Sequence, residues 1–126
     1  MADEVIPVVA AVDDDFRIRE SVASLLESAG YVPLVFSSAE EFLVSGALAT
    51  ATCVITDVRM PGMDGIELQR LIKLERPTLP VILISAHHDV EVRQRAINEG
   101  AVEVLFKPFD ATSLIRIIQS ALTGSR

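Results

Sequence analysis

The sequence predicts an α/β domain with a parallel sheet covered by helices on both faces. Three observations carry this. Short apolar runs alternate along the whole chain with segments whose apolar residues recur at helical spacing. The runs at Val8–Val12, Cys53–Thr56 and Val81–Ile84 are almost wholly apolar, as strands buried on both faces are. Four runs end on residues able to handle a phosphoryl group: Asp13-Asp14-Asp15, Asp57, Ser85 and Lys107-Pro108. In parallel strands these ends share one rim, the carboxyl edge where open α/β sheets bind ligands.

Each element has a local reason. Asp15 can cap a first helix whose apolar face is Ile18, Val22, Leu25, Leu26 and Ala29, with Gly30 as the stop. Tyr31 to Phe36 reads as a strand, and Pro33, which lacks a ladder donor, places it at a sheet edge. Ser37 or Ser38 opens a short helix, with Glu40 or Glu41 three residues on in a capping-box pattern, ending near Gly46. Beyond Asp57, Pro61, Gly62 and Gly65 enforce a turn, and Leu68, Leu71 and Ile72 give a third helix stopped by Pro77. A fourth helix from about Asp89 to Glu99 offers only Val92, Ala96 and Ile97 to a core, which marks it for low local stability. Asp110 caps a last helix with Leu114, Ile117, Ile118, Ala121 and Leu122 facing inward. Five β/α units exhaust the 126 residues, so a single domain over 1–126 is expected.

Composition narrows the function. Half the residues are hydrophobic and the net charge is −7, with a pI near 4.7. That balance argues against direct binding of nucleic acid or anionic membranes and suits a cation. Cys53 is the one cysteine and reads as a small buried hydrophobe. Met1-Ala2-Asp3-Glu4 has neither a basic segment nor an apolar stretch, against a signal peptide, and no apolar run is long enough to span a bilayer; a cytoplasmic location is expected.

The chain resembles the receiver domain of bacterial two-component response regulators. The resemblance rests on Val12-Asp13-Asp14-Asp15, on Thr56-Asp57-Val58-Arg59-Met60-Pro61-Gly62-Met63-Asp64-Gly65, on Ile84-Ser85-Ala86 and on Lys107-Pro108-Phe109. Ser38-Ala39-Glu40-Glu41-Phe42-Leu43 adds a likeness to the FixJ-like subgroup. The resemblance implies a flavodoxin-like, doubly wound sheet with strand order 2-1-3-4-5, an order for which a member of this family is a standard example. It implies Asp57 as acceptor of a phosphoryl group from a sensor histidine kinase. Asp14, Asp57 and the Arg59 backbone carbonyl would ligate Mg²⁺, with Mn²⁺ able to substitute, and Asp13 would hold a water of the ion. Lys107 would pair first with Asp57 and then with the phosphoryl oxygens, and Ser85 would donate to one of them. The bond before Pro108 would be cis, aiming Lys107 at the site.

Elementary electrostatics points to a cation as well: two carboxylates ~4 Å apart repel by ~4 kcal/mol at an effective dielectric near 20, which drives one toward protonation. By the same resemblance the kinase docks around Arg17, Glu20, Ser21 and Ser24. The output surface is the fourth helix, fifth strand and fifth helix, read by an output domain or downstream protein, with homodimerisation on phosphorylation through the last strand and helix as a further expectation. The chain would catalyse only its own phosphorylation and dephosphorylation. Val104 stands where the family usually has Tyr or Phe, and Phe106 is expected on the other face of its strand. His87, two residues after Ser85, is a candidate for tuning water access. Two other classes fit less well. An aspartyl-phosphate phosphatase needs a threonine in an Asp-x-Asp-x-Thr pattern that is missing after the first strand, and a flavin carrier needs a Ser/Thr/Gly-rich loop where three aspartates stand.

Overall fold

The computed structural model describes residues 6–124; the sequence reading of Met1–Glu4 lies outside the described residues. Strands and helices alternate as β1 (Val8–Val12), α1 (Phe16–Ser28), β2 (Val32–Phe36), α2 (Ala39–Ser45), a 3₁₀ turn (Ala47–Ala49), β3 (Cys53–Asp57), α3 (Gly65–Glu75), β4 (Val81–Ser85), α4 (Val90–Asn98), β5 (Glu103–Phe106) and α5 (Ala111–Leu122). The five strands form one sheet in the order β2-β1-β3-β4-β5, all neighbours parallel. β2 is an edge strand, the position Pro33 demands, with Pro33 opposite Val9.

Alternation along the central strands divides the core in two. Val9, Ala11, Cys53, Ile55, Ile82 and Ile84 point to one side and pack on Val22 and Leu26 of α1 and Leu114 and Ile118 of α5. Ala10, Val12, Val54, Val81 and Leu83 point to the other and pack on Phe42 of α2, Ile66, Leu68 and Ile72 of α3 and Ala96 of α4. Burying each large aliphatic side chain contributes ~1.5–3 kcal/mol, which is what holds three helices on one face and two on the other.

The caps fall where polar residues allow. Asp15, Ser38, Asp64, Asp89 and Asp110 each accept a backbone N–H at a helix start. Gly46 ends α2 at φ 84°, a left-handed position natural to glycine. The third helix forms where the apolar spacing predicts it, burying Gly65, Ile66, Leu68, Gln69 and Ile72 and leaving Leu71 38% exposed. One expectation is corrected. Phe106 does not point away from Val104: residues two apart in a strand share a face, so both meet the same side of the core while Leu105 faces the other.

Candidate functional site

The carboxyl edge of the sheet gathers the site. β1 delivers Asp13 and Asp14. Asp13 is buried and held from three directions: its N–H donates to the Phe36 carbonyl at 3.1 Å, its Oδ1 accepts the Asp15 N–H at 2.9 Å, and its carbonyl accepts from Arg19 Nη1 at 2.8 Å. Asp14 is exposed, and Asp15 caps α1. β3 delivers Asp57, also buried. The next residue is locked to the neighbouring strand by the Val58 N–H donating to the Ile84 carbonyl at 2.9 Å.

Carboxylate oxygens from Asp13, Asp14 and Asp57 all lie within 4.8 Å of one another. Lys107 reaches them from the end of β5, with Nζ 3.3 Å from Asp13 Oδ2 and 3.6 Å from Asp57 Oδ1. Its hydrogen bond is therefore to Asp13, and Asp57 is its longer-range partner. The Lys107–Pro108 peptide is cis, and the Lys107 N–H donates to the Ser85 carbonyl at 2.8 Å.

One ammonium does not offset three carboxylates. Burial pushes the Asp57 carboxyl up to about 6, and the Asp13 charge pushes the same way; Lys107 opposes them and Asp14 adds a smaller push. An acid this perturbed, in a cluster of like charge, is the pattern of a functional position. The donor set suits a hard divalent cation: three carboxylates, no sulfur or imidazole, and an exposed side through which waters can complete the shell.

Ser85 is not brought onto the carboxylates. Its buried hydroxyl donates to the His87 carbonyl at 2.9 Å and accepts the His87 N–H at 3.1 Å, closing a local turn. His87 is exposed. His88 instead lays its ring against Phe106, centroids 4.4 Å apart at 63°. Arg59 follows Asp57 by two residues on the loop into α3 and is exposed.

Two contributors were not foreseen. Gly65 starts α3 so close to the strand end that a Cβ there would fall onto the Asp57 carbonyl oxygen. Glu40 crosses from α2 to accept the Met63 N–H at 2.9 Å. The signal for Gly65 was its place in Asp64-Gly65, where the turn tightens. The signal for Glu40 was a second glutamate beside Glu41, which alone serves the start of α2: the Ser38 hydroxyl caps the Glu41 N–H, and the Glu41 carboxylate accepts from the Ser37 N–H and hydroxyl rather than from the Ser38 N–H of a reciprocal capping box.

Among the described residues no helix is long and apolar enough to cross a membrane. The family profile for the response regulator receiver domain matches residues 9–119. The chain is 39% identical over 114 residues to the transcriptional regulatory protein FixJ of Bradyrhizobium diazoefficiens, covering 90% of this chain and 56% of that protein. It is 37% identical over 116 residues to the DNA-binding transcriptional regulator NtrC of Salmonella typhimurium, covering 92% of this chain and 25% of that one. The crystal structure of a response regulator receiver domain protein from Clostridium thermocellum superposes with a TM-score of 0.90 at 32% identity, covering 94% of this chain and 96% of that one. The chain thus spans about half the length of the FixJ relative and a quarter of the NtrC relative.

Proposed function

The chain belongs to the response regulator receiver domain family, and from that premise we propose that it is a phosphorylation-dependent switch whose acceptor is Asp57. The single observation that carries this reading is the convergence of Asp13, Asp14, Asp57 and Lys107 at one strand edge. Receiver domains of this family take their phosphoryl group from sensor histidine kinases, and the relatives are transcriptional regulators longer than this chain.

An Asp57 carboxylate oxygen attacks the phosphorus of a phosphohistidine. The new bond is O–P; the P–N bond breaks with its electron pair leaving on the imidazole nitrogen, which takes a proton from water. Mg²⁺ fits the donor set of Asp13, Asp14, Asp57 and the Arg59 backbone carbonyl, and when bound supplies positive charge that keeps Asp57 ionised and offsets charge on the transferring group. Mn²⁺, also an oxygen-seeking cation, substitutes. Lys107, already 3.6 Å from Asp57, moves from Asp13 toward the phosphoryl oxygens.

The phosphoryl group carries about 1.5 to 2 negative charges in place of the single charge of the carboxylate, and it brings new strong acceptors. Ser85 then exchanges its bonds to His87 for one to a phosphoryl oxygen. Because Lys107 and Ser85 are joined through backbone, the end of β4, the start of α4 and β5 move together, and the face of α4, β5 and α5 becomes the surface read by an output domain or downstream protein. The chain acts only on its own phosphoryl group, in the cytoplasm, as one domain over 1–126, and without touching nucleic acid or membrane itself. Phosphorylation favours a homodimer through β5 and α5.

Incubation with acetyl phosphate, with Mg²⁺ or with chelator, followed by intact mass, tests the core of this. One labile phosphoryl adduct that needs the metal and is lost in Asp57→Asn is expected. An adduct that survives Asp57→Asn, or forms equally in chelator, overturns it.

A further inference from the structure

The loop from Val58 to Asp64 leaves the end of β3 beside Asp57, carries Arg59 and then starts α3. Backbone fastens both its ends: the Val58 N–H donates to the Ile84 carbonyl at 2.9 Å, and the Gly65 N–H donates to the Val58 carbonyl at 2.8 Å. Its middle, Pro61-Gly62-Met63, runs along the surface, with Gly62 left-handed at φ 77°. Glu40 reaches this middle from the first turn of α2. Its Oε2 accepts the Met63 N–H at 2.9 Å across 23 residues of sequence. The same oxygen stands 2.7 Å from where a Cβ on residue 62 would lie, so a side chain at 62 would push the carboxylate aside. The Met63 hydrogen bond holds the Glu40 carboxyl below its ordinary value, as expected when an N–H donates to the charged form.

Glu41 provides an internal comparison. It has the same chemistry one residue on, and it too is held low by hydrogen bonds, but to Ser37 at the start of its own helix. One carboxylate tends the helix; the other tends the loop after Asp57.

We propose that Glu40 is a positioning residue of the acceptor site: by clamping the Met63 amide it sets the path of the 58–64 loop and hence where the Arg59 carbonyl stands relative to Asp57. This rests on the reading of that carbonyl as part of the metal site. Glu40 touches neither phosphoryl group nor ion; it acts through the loop.

The test uses the whole chain and the variants Glu40→Ala, Glu40→Gln and Glu41→Ala. Three quantities are read: amide exchange at Met63, the Mg²⁺ dissociation constant with no phosphoryl donor present, and the thermal midpoint. In Glu40→Ala, Met63 exchanges faster and Mg²⁺ binds about tenfold more weakly, the low end of the scale for loss of a group that orients a metal ligand, with the midpoint nearly unchanged. Glu40→Gln keeps a side-chain acceptor and recovers most of the Mg²⁺ affinity. Glu41→Ala lowers the midpoint and leaves Mg²⁺ affinity at the wild-type value. Wild-type Mg²⁺ affinity in Glu40→Ala, or equal weakening in Glu40→Ala and Glu41→Ala, overturns the proposal. A wild-type chain that binds no Mg²⁺ overturns the functional reading itself, a failure told apart because it lies in the parent and not in the variant.

Discussion

Two loops leave adjacent strands beside Asp57, one into α3 and one into α4, and they are built in opposite ways. The α3 side is pinned by packing and backbone. Asp64 and Glu67 make a reciprocal capping box at 2.8 and 2.9 Å, Gly65 sits against the Asp57 carbonyl, and Ile66, Leu68 and Ile72 are buried. The α4 side has one fully buried residue, Ala96. Polar ties do much of the rest: Gln69 Nε2 donates to the Ala96 carbonyl at 3.1 Å, Arg70 pairs with Glu99 through two contacts at 2.7 and 3.0 Å, and Arg93 pairs with Glu103 at 2.8 Å. Gln69 Oε1 is buried without a partner, so even this seam is imperfectly satisfied. Buried apolar contact gives α3 cooperative stability. A helix tied by surface ion pairs and a few hydrogen bonds opens at lower cost. On the proposed function, the α3 side would be organised before Asp57 is phosphorylated, and the side carrying Ser85 would be the one that responds.

The largest effect that sharpens this contrast comes from Gly65→Ala. The added Cβ meets backbone rather than a yielding side chain, so a loss of at least ~3 kcal/mol is expected in chemical denaturation, with phosphoryl acceptance lost too. A variant as stable as the parent would break the picture of a rigid α3 side.

Next comes pH. The Asp57 carboxyl stands near 6 in the folded chain against an ordinary value of 3.8, so between these values the folded state holds more protons than the unfolded one. Stability in chelator therefore falls as pH rises from about 4 through about 6, by up to ~3 kcal/mol from this group. Comparing parent with Asp57→Asn across that range isolates the effect, because the substitution removes the titrating group. Parallel curves for the two proteins would contradict it.

The smallest effect is on the other side. Arg70→Ala breaks an exposed pair, so the denaturation midpoint should hardly move. Amide exchange within α4 should rise while exchange within α3 stays as it was. Equal acceleration in both helices would mean that they open as one unit.

Much of this was legible in the residues. Continuous apolar runs, caps at Asp15, Ser38 and Asp110, and Pro33 at an edge all report on neighbours within a few positions, and they yield the sheet and its rim. The convergence of Asp13, Asp14, Asp57 and Lys107 follows once the strands are parallel. What escaped is contact across sequence distance. Nothing periodic connects Glu40 to Met63, and nothing local says that Lys107 hydrogen-bonds Asp13 in preference to Asp57 or that Ser85 closes on His87. Phe106 was misplaced by a count of one along a strand, and it lies beside Val104 where it meets His88.

The most direct test of the central claim is amide-resolved hydrogen exchange on the Mg²⁺-loaded chain before and after phosphorylation by acetyl phosphate. Exchange should change across residues 86–98 and in β5, while residues 58–72 keep their protection. Changes confined to 58–72, with 86–98 untouched, would contradict the account.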